Sequence, residues 1–307
     1  LRKLRARLPD ADWTARASRG SHWRYITAVK EMDKNNGIYV RNMSTDNGAL
    51  KSVSFDAPRG MVTGLIGENG AGKSKVMRTL AGIIPYRGIA AINGADVSKS
   101  SKDRRQRIGY VGGERSLPDS LTLRMLGRVL ARTFDEWDQG TFVKLTDGFF
   151  LPDNKPIGEF STGMKAKAAI AAALSHGADT LLLDEPTSGL DIAVRSDVLG
   201  LIYDFMQDES HTVLITSHIT SDLEKLCDRI AVIADGRVVL EADKDELLER
   251  YVAVRGDVPG VKRVKVLKRI YGEDVLAERD GLPDGADAER VTLDELLMFF
   301  IKGEDAK

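Results

Sequence analysis

The run Gly67-Glu68-Asn69-Gly70-Ala71-Gly72-Lys73-Ser74 is a Gly-x4-Gly-Lys-Ser pattern between an apolar stretch, 61–66, and a helical one, 75–81. This spacing suits a phosphate. Glycines 67, 70 and 72 let the backbone curl around oxygens without Cβ clashes. The helix start adds unpaired N–H groups and a positive dipole end. In this reading Lys73 reaches the β and γ phosphates of a nucleoside triphosphate, and the Ser74 hydroxyl ligates Mg²⁺. The competing reading is a glycine-rich turn that merely enters a helix. Further downstream, Asp184-Glu185 ends an apolar run, placing two carboxylates at the carboxyl edge of a parallel sheet. Asp184 is the type of residue that holds Mg²⁺ through water, and Glu185 the type that orients or deprotonates an attacking water.

Three more groups accompany these. Ser161-Thr-Gly163-Met-Lys165 opens an alanine-rich helix with Ser161 as its N-cap, 23 residues before Asp184. Ser188-Gly-Leu-Asp191 forms a tight polar turn directly after the carboxylates. His218 follows the apolar strand 212–216, as Glu185 follows its own strand. His22, His176 and His211 read as structural or surface residues.

Positioning these groups requires alternating strands and helices. Strands are predicted at 38–42, 53–57, 61–67, 88–93, 107–111, 180–183 and 212–216, with a hairpin 229–234/237–241 through Asp235-Gly236. Helices are predicted at 75–81, 122–134, 138–149, 162–175, 193–207, 221–226 and 243–251. The alternation predicts an α/β phosphate-loop fold with a mostly parallel sheet core. The helical stretch at about 115–175 interrupts it and is expected to form its own lobe. Residues 251–307 are expected to be a small α/β appendage, with a strand at 261–270, a turn-rich break at 281–287 and an apolar helix at 293–301.

Composition narrows the class. Of the 307 residues, 42% are hydrophobic and 30% charged, ordinary values for a globular chain. A net charge of −1 makes no electrostatic case for nucleic acid. The one cysteine, Cys227, excludes an internal disulfide and fits a reducing compartment. No run approaches 18 apolar residues and the N-terminus has no apolar signal-peptide core. The first 34 residues carry nine Lys/Arg against four acids without a sustained period, so 1–36 reads as a basic, poorly ordered extension, or as an arm on acidic lipid or a partner. The chain begins with Leu1, and Met32 is a candidate natural start of the domain.

The order of phosphate loop, signature helix, Asp-Glu strand, Ser-Gly-Leu-Asp turn and histidine resembles the nucleotide-binding domain of ATP-binding cassette (ABC) proteins over 37–250, 214 of 307 residues. The resemblance implies ATP and Mg²⁺ as ligands and ATP hydrolysis as the activity. It also implies a partner membrane permease, a location on the cytoplasmic face of the membrane, and a second nucleotide-binding domain, in a homo- or heterodimer. ATP contacts are implied for Gly67, Glu68, Asn69, Gly70, Ala71, Gly72, Lys73, Ser74 and Lys75. Ser161 and Gly163 are implied to touch a γ phosphate held by the other copy, with Asp191 crossing the interface. His218 is implied to sense that phosphate. Segments 63–69, 133–137, 163–165, 217–224 and 293–300 are similar to bacterial exporter ATPases for bacitracin-type resistance and for secretion of phenol-soluble peptides.

Four departures from the family pattern stand out. Lys75 replaces a Thr or Ser that bonds the α phosphate. Gly112-Gly113 replaces the glutamine that contacts Mg²⁺, with Glu114 next as its substitute metal ligand or else a loop acid. Thr162 and Met164 replace glycine and glutamine in the signature. The turn 44–49 has no aromatic to stack adenine, Tyr39 being a weak substitute, which leaves GTP use open. An exporter-energising ATPase is therefore the leading expectation. The alternatives are a regulatory ABC protein with weak turnover, or a non-transport ABC ATPase acting on ribosomes or DNA.

Overall fold

Strand β1 (Ile38–Ser44) turns Ile38, Val40 and Met43 inward, and β2 (Val53–Ala57) turns Val53, Phe55 and Ala57 to the same side. This is the two-residue period of a half-buried antiparallel pair. A register shift between Val40 and Met43 leaves Asn42 in the left-handed region at φ 52°. The computed structural model describes residues 37–99, 102–112, 117–255, 260–269, 272–283 and 287–305. The extension 1–36 and Glu114 lie outside the described residues.

Strand β3 (Val62–Ile66) does not alternate, because all five residues are buried. It feeds α1 (Lys73–Leu80). β4 (Arg87–Ile92) and β5 (Ala95–Asp96) then return to the first sheet, whose order is β2-β1-β4-β5. The short helix α2 (Lys102–Gln106) precedes β6 (Ile108–Gly112). Sequence periodicity missed α2 because its five residues are all polar; Arg104 nonetheless folds inward and donates to the Leu80 carbonyl at 3.2 Å.

Three helices follow: α3 (Leu123–Thr133), α4 (Gln139–Gly148) and α5 (Thr162–Leu174). Thr122 and Asp138 cap the first two, accepting from Met125 N at 3.3 Å and Thr141 N at 3.0 Å. These helices enclose a core of their own that includes Leu123, Leu126, Phe142, Ile157 and Phe160. α5 belongs to two cores at once. Ala168, Ala171 and Ala172 face the lobe, whereas Ala169, Ile170 and Ala173 face the main sheet. Alanine permits this, since its small side chain allows close approach on both faces of one helix.

The second half supplies β7 (Thr180–Asp184), α6 (Ile192–Phe205), β8 (Thr212–Thr216), α7 (Thr220–Leu226), β9 (Arg229–Ala234) and β10 (Arg237–Asp243). The central sheet runs β10-β9-β3-β8-β7-β6, parallel except for the β9–β10 hairpin. Strands β7 and β8 are buried on both faces, like β3, which is why they read as continuous apolar runs. Register pairs Asp184 with Thr216 and with Gly112, and Leu65 with Thr216. The carboxyl ends of four strands thus line up along one edge.

After α8 (Lys244–Arg250) come β11 (Tyr251–Arg255), β12 (Arg263–Arg269), β13 (Gly272–Glu278), β14 (Ala288–Arg290), α9 (Leu293–Lys302) and β15 (Glu304–Asp305). The five strands form an antiparallel sheet ordered β14-β11-β13-β12-β15. The sequence reading expected one strand here and placed Tyr251 in the preceding helix. The others show through their pairing with strands distant in the chain, Tyr251–Arg255 with both Gly272–Glu278 and Ala288–Arg290, and Arg263–Arg269 with Glu304–Asp305. α9 starts with a capping box between Thr292 and Glu295, and its Leu293, Leu296, Leu297 and Phe299 join Leu223, Ile230 and Val232 in the main core.

His176 and His211 are held structurally. The His176 ring is buried, stacks on Phe134 at 4.1 Å, and sets its two nitrogens 3.2 Å from the carbonyls of Ala172 and Ile108. Burial pushes its ionisation below the ordinary histidine range. The unfolded chain therefore takes up a proton at higher pH than the folded one. Stability is full above about pH 6.5 and falls as the pH drops from there toward the depressed folded value. Calorimetric Tm is expected to be lower at pH 5.5 than at pH 7.5, with a shallower pH slope in His176→Phe.

Candidate functional site

The phosphate loop is shaped by backbone proximity. A Cβ on Gly67 would lie 2.1 Å from the Ile233 carbonyl oxygen at the end of β9, so only glycine fits there. Gly70 and Gly72 have φ of 88° and 115°, the left-handed region that glycine enters without strain. Gly72 is the N-cap of α1, and the loop closes on itself through Ala71 N donating to the Glu68 carbonyl at 3.1 Å. Lys73 is 6% exposed. Its Nζ donates to the carbonyls of Gly67 (2.6 Å) and Glu68 (3.2 Å), which hold the ammonium in the hollow of the loop. The first turn of α1 carries no acid of its own.

Asp184 faces this helix from the end of β7. It is 5% exposed, and its Oδ1 accepts from Ser74 Oγ at 3.1 Å and Thr216 Oγ1 at 2.8 Å. Thr216 also accepts from Glu185 N, at 2.9 Å through Oγ1 and 3.2 Å through its carbonyl. These bonds hold Glu185 at φ 54°, a conformation that non-glycine residues rarely adopt. They also turn its carboxylate away from the sheet. That carboxylate meets His218 at the end of β8, with Nδ1 at 2.6 Å from Oε2 and the His218 N–H donating at 3.3 Å.

A cleft of about 470 Å³ gathers Glu68, Asn69, Gly70, Gly72, Lys73, Ser74, Lys75, Glu185, Ser188 and His218. Gly67 and Ala71 form the loop beneath it. Asp184 is reached through Ser74. The structure does not bring Ser161, Gly163 or Asp191 into this cleft. Ser161 caps α5, accepting from Met164 N at 3.2 Å, and Asp191 caps α6, accepting from Val194 N at 3.0 Å. Gly163 faces Val194, 3.3 Å from where its Cβ would be. A separate cleft of about 630 Å³ runs between the lobe and the sheet edge, lined by Thr162, Lys165, Glu185 and Ser188 among others. Lys165 pairs across it with Asp119 at 2.9 Å.

Sequence reasoning passed over two sets of residues. Thr216 is one; its signal was a hydroxyl at the end of an apolar strand, in register with Asp184. The other is the buried Asp222, which accepts from Thr187 Oγ1 (2.8 Å) and Arg195 Nε (2.6 Å), tying the turn after Glu185 to the helix after His218. No local pattern announces that network.

The donors fit magnesium. Ser74 Oγ and Asp184 Oδ1 are hard oxygen ligands within 3.1 Å of each other. Among the described residues no cluster of three or more His, Cys, Asp or Glu side chains forms a cage. Magnesium is commonly held by one or two protein oxygens, with nucleotide phosphates and water completing its shell.

The ABC transporter family pattern matches residues 50–188. The ABC transporter ATP-binding protein NatA of Bacillus subtilis is 36% identical over 209 residues, covering 66% of this chain and 84% of its own. The bacitracin transport ATP-binding protein BcrA of Bacillus licheniformis is 32% identical over 219 residues, covering 69% and 72%. The solved structure of the ATP-binding subunit of an ABC transporter superposes with a TM-score of 0.63 at 26% identity, covering 69% of this chain and 91% of that one. With the fold, the cleft and these relatives in agreement, the chain belongs to the ABC transporter ATP-binding proteins, the subunits that bind and hydrolyse ATP.

Proposed function

We propose that the chain energises an exporter by closing on ATP against a second nucleotide-binding domain and opening after hydrolysis. The observation that carries this reading is a split one. Lys73, Ser74, Glu185 and His218 share one cleft, with Asp184 behind them, while Ser161, Gly163 and Asp191 lie outside it at two capped helix starts. A second copy facing the first would bring its Ser161, Gly163 and Asp191 to that cleft. Residues 37–250 are the ATPase domain in this reading, with a helical lobe at about 115–175, after a basic extension 1–36 and before the appendage 251–307. Among the described residues no helix is long and apolar enough to cross a membrane, so the reading calls for a separate permease, docked at the cytoplasmic face.

Each residue has a task. Lys73 leaves its carbonyl partners to meet the β and γ phosphates. Gly67, Glu68, Asn69, Gly70, Ala71 and Gly72 cradle them with backbone N–H groups, and Lys75 adds a cation beside Lys73. Ser74 and Asp184 would hold Mg²⁺, which would neutralise charge on the phosphates. Glu185 accepts a proton from the attacking water. His218 holds the Glu185 carboxylate in place and contacts the γ phosphate. The likeness to the bacitracin transport ATP-binding protein BcrA supports export of a peptide or similar antibiotic.

Lys73→Ala removes a charge-assisted contact of about 1.5–3 kcal/mol, and the Kd for Mg-ATP is expected to rise roughly 10- to 100-fold in titration calorimetry. Unchanged binding would refute the phosphate-loop reading. Co-purification with the permease, and ATPase activity stimulated by cargo, test the transport part.

A further inference from the structure

The cleft is built for phosphates and offers no platform for a base. No Phe, Tyr or Trp ring lines it among the described residues, and the His218 imidazole is held by Glu185, with Nδ1 2.6 Å from Oε2. The chain flanking the phosphate loop on its outer side is Ala49, Leu50 and Gly236. A Cβ on Gly72 would lie 2.9 Å from Leu50 Cδ2, and one on Gly236 would lie 2.5 Å from the Ala49 carbonyl oxygen. Polar groups in the adjoining turn are already engaged. Thr45 Oγ1 donates to Asn47 Oδ1 at 2.8 Å and accepts from Leu50 N at 3.1 Å, while Asp46 pairs with Arg87 at 2.9 Å. Tyr39, the ring in β1, is covered by the Arg41 guanidinium, 4.0 Å from its centroid. Arg41 is in turn gripped by both oxygens of Asp56 at 2.7 Å. Freeing that ring to stack on a base would cost a bidentate ion pair.

The phosphate end, by contrast, carries an extra cation. α1 begins with Lys73 and Lys75 and no carboxylate. Lys73 rests on two carbonyls. The Lys75 side chain lines the cleft, and among the described residues its ammonium has neither an ion-pair nor a side-chain hydrogen-bond partner. Two cations at the positive end of a helix dipole favour a polyanion there.

We propose that this site takes nucleoside triphosphates as a class, without regard to the base, and that Lys75 is the anchoring residue that makes this affordable by holding the phosphates. The proposal deepens the ATPase reading above and rests on it. A phosphate anchor acts equally on every nucleotide, since the triphosphate is common to all of them. A stacked ring, where present, adds affinity that depends on the base it meets.

The test is equilibrium binding of Mg-ATP, Mg-GTP, Mg-CTP and Mg-UTP to the full chain, with inorganic tripolyphosphate as the base-free probe. The four nucleotides are expected to bind within about threefold of one another. Lys75→Ala should weaken all four by a common factor of about tenfold, the loss of one charge-assisted contact, whereas Lys75→Arg stays within about threefold of the parent. Tripolyphosphate should displace each nucleotide. A preference for ATP of tenfold or more, or an unchanged Kd in Lys75→Ala, overturns this proposal and leaves the ATPase reading standing. Absence of binding by any triphosphate would overturn both.

Discussion

Glu185→Gln is expected to lower steady-state ATP turnover by about 10²- to 10⁴-fold, the usual contribution of a general base, while Mg-ATP still binds. The geometry explains why the two effects separate. Glu185 is held by its backbone N–H on Thr216, with the side chain projecting into the cleft that contains Lys73. Glutamine has the same shape, keeps an oxygen to accept from His218, and leaves the Thr216 bonds intact. It cannot take a proton from water. The ATP-loaded state should therefore accumulate, and with it the closed pair of domains. Phosphate release measures the first effect. Light scattering after size exclusion with Mg-ATP measures the second, as a shift from monomer to dimer in the variant. Equal, negligible turnover in the parent and the variant would favour a regulatory protein with weak turnover.

Gly67→Ala should abolish nucleotide binding as well as destabilise the fold. The added Cβ would sit 2.1 Å from the Ile233 carbonyl oxygen, and both sides of that contact are backbone. No side chain can rotate away. Either β9 or the phosphate loop has to move, and overpacking of this kind costs roughly 1–3 kcal/mol. The loop is the softer of the two, because β9 is paired on both sides, with β3 and β10. Displacing the loop moves the Gly67 carbonyl that holds Lys73 Nζ at 2.6 Å, and the oxygen cradle opens. Urea denaturation should report a lower midpoint, and calorimetry should find no heat with Mg-ATP. A variant with parental stability and binding would show that the Gly67–Ile233 approach is not needed.

The central elements were legible because their signals are local. Buried parallel strands read as uninterrupted apolar runs, as in Leu181-Leu-Leu, and the phosphate loop announces itself through glycine, lysine and serine at fixed offsets. Appendage strands carried no such signal. Gly272–Glu278 opens with Gly-Glu-Asp and is a strand only because β11 and β12 pair with it on either side. Gly112-Gly113 and Lys75 were visible as departures, yet their order in the chain says nothing of where they sit; Lys75 turns out to line the cleft.

By itself the amino-acid sequence determined the identity of the chemical groups: a glycine-rich loop ending in lysine and serine, an aspartate, and a glutamate and a histidine at strand ends. Tertiary structure decided which of them meet. Strand register alone sets Thr216 beside Asp184 and brings His218 onto Glu185. It also leaves Ser161, Gly163 and Asp191 outside the cleft of their own chain. Contacts between residues far apart in the chain depend on sheet pairing and packed cores. These arise from interactions summed over the whole fold, which no window of neighbouring residues contains.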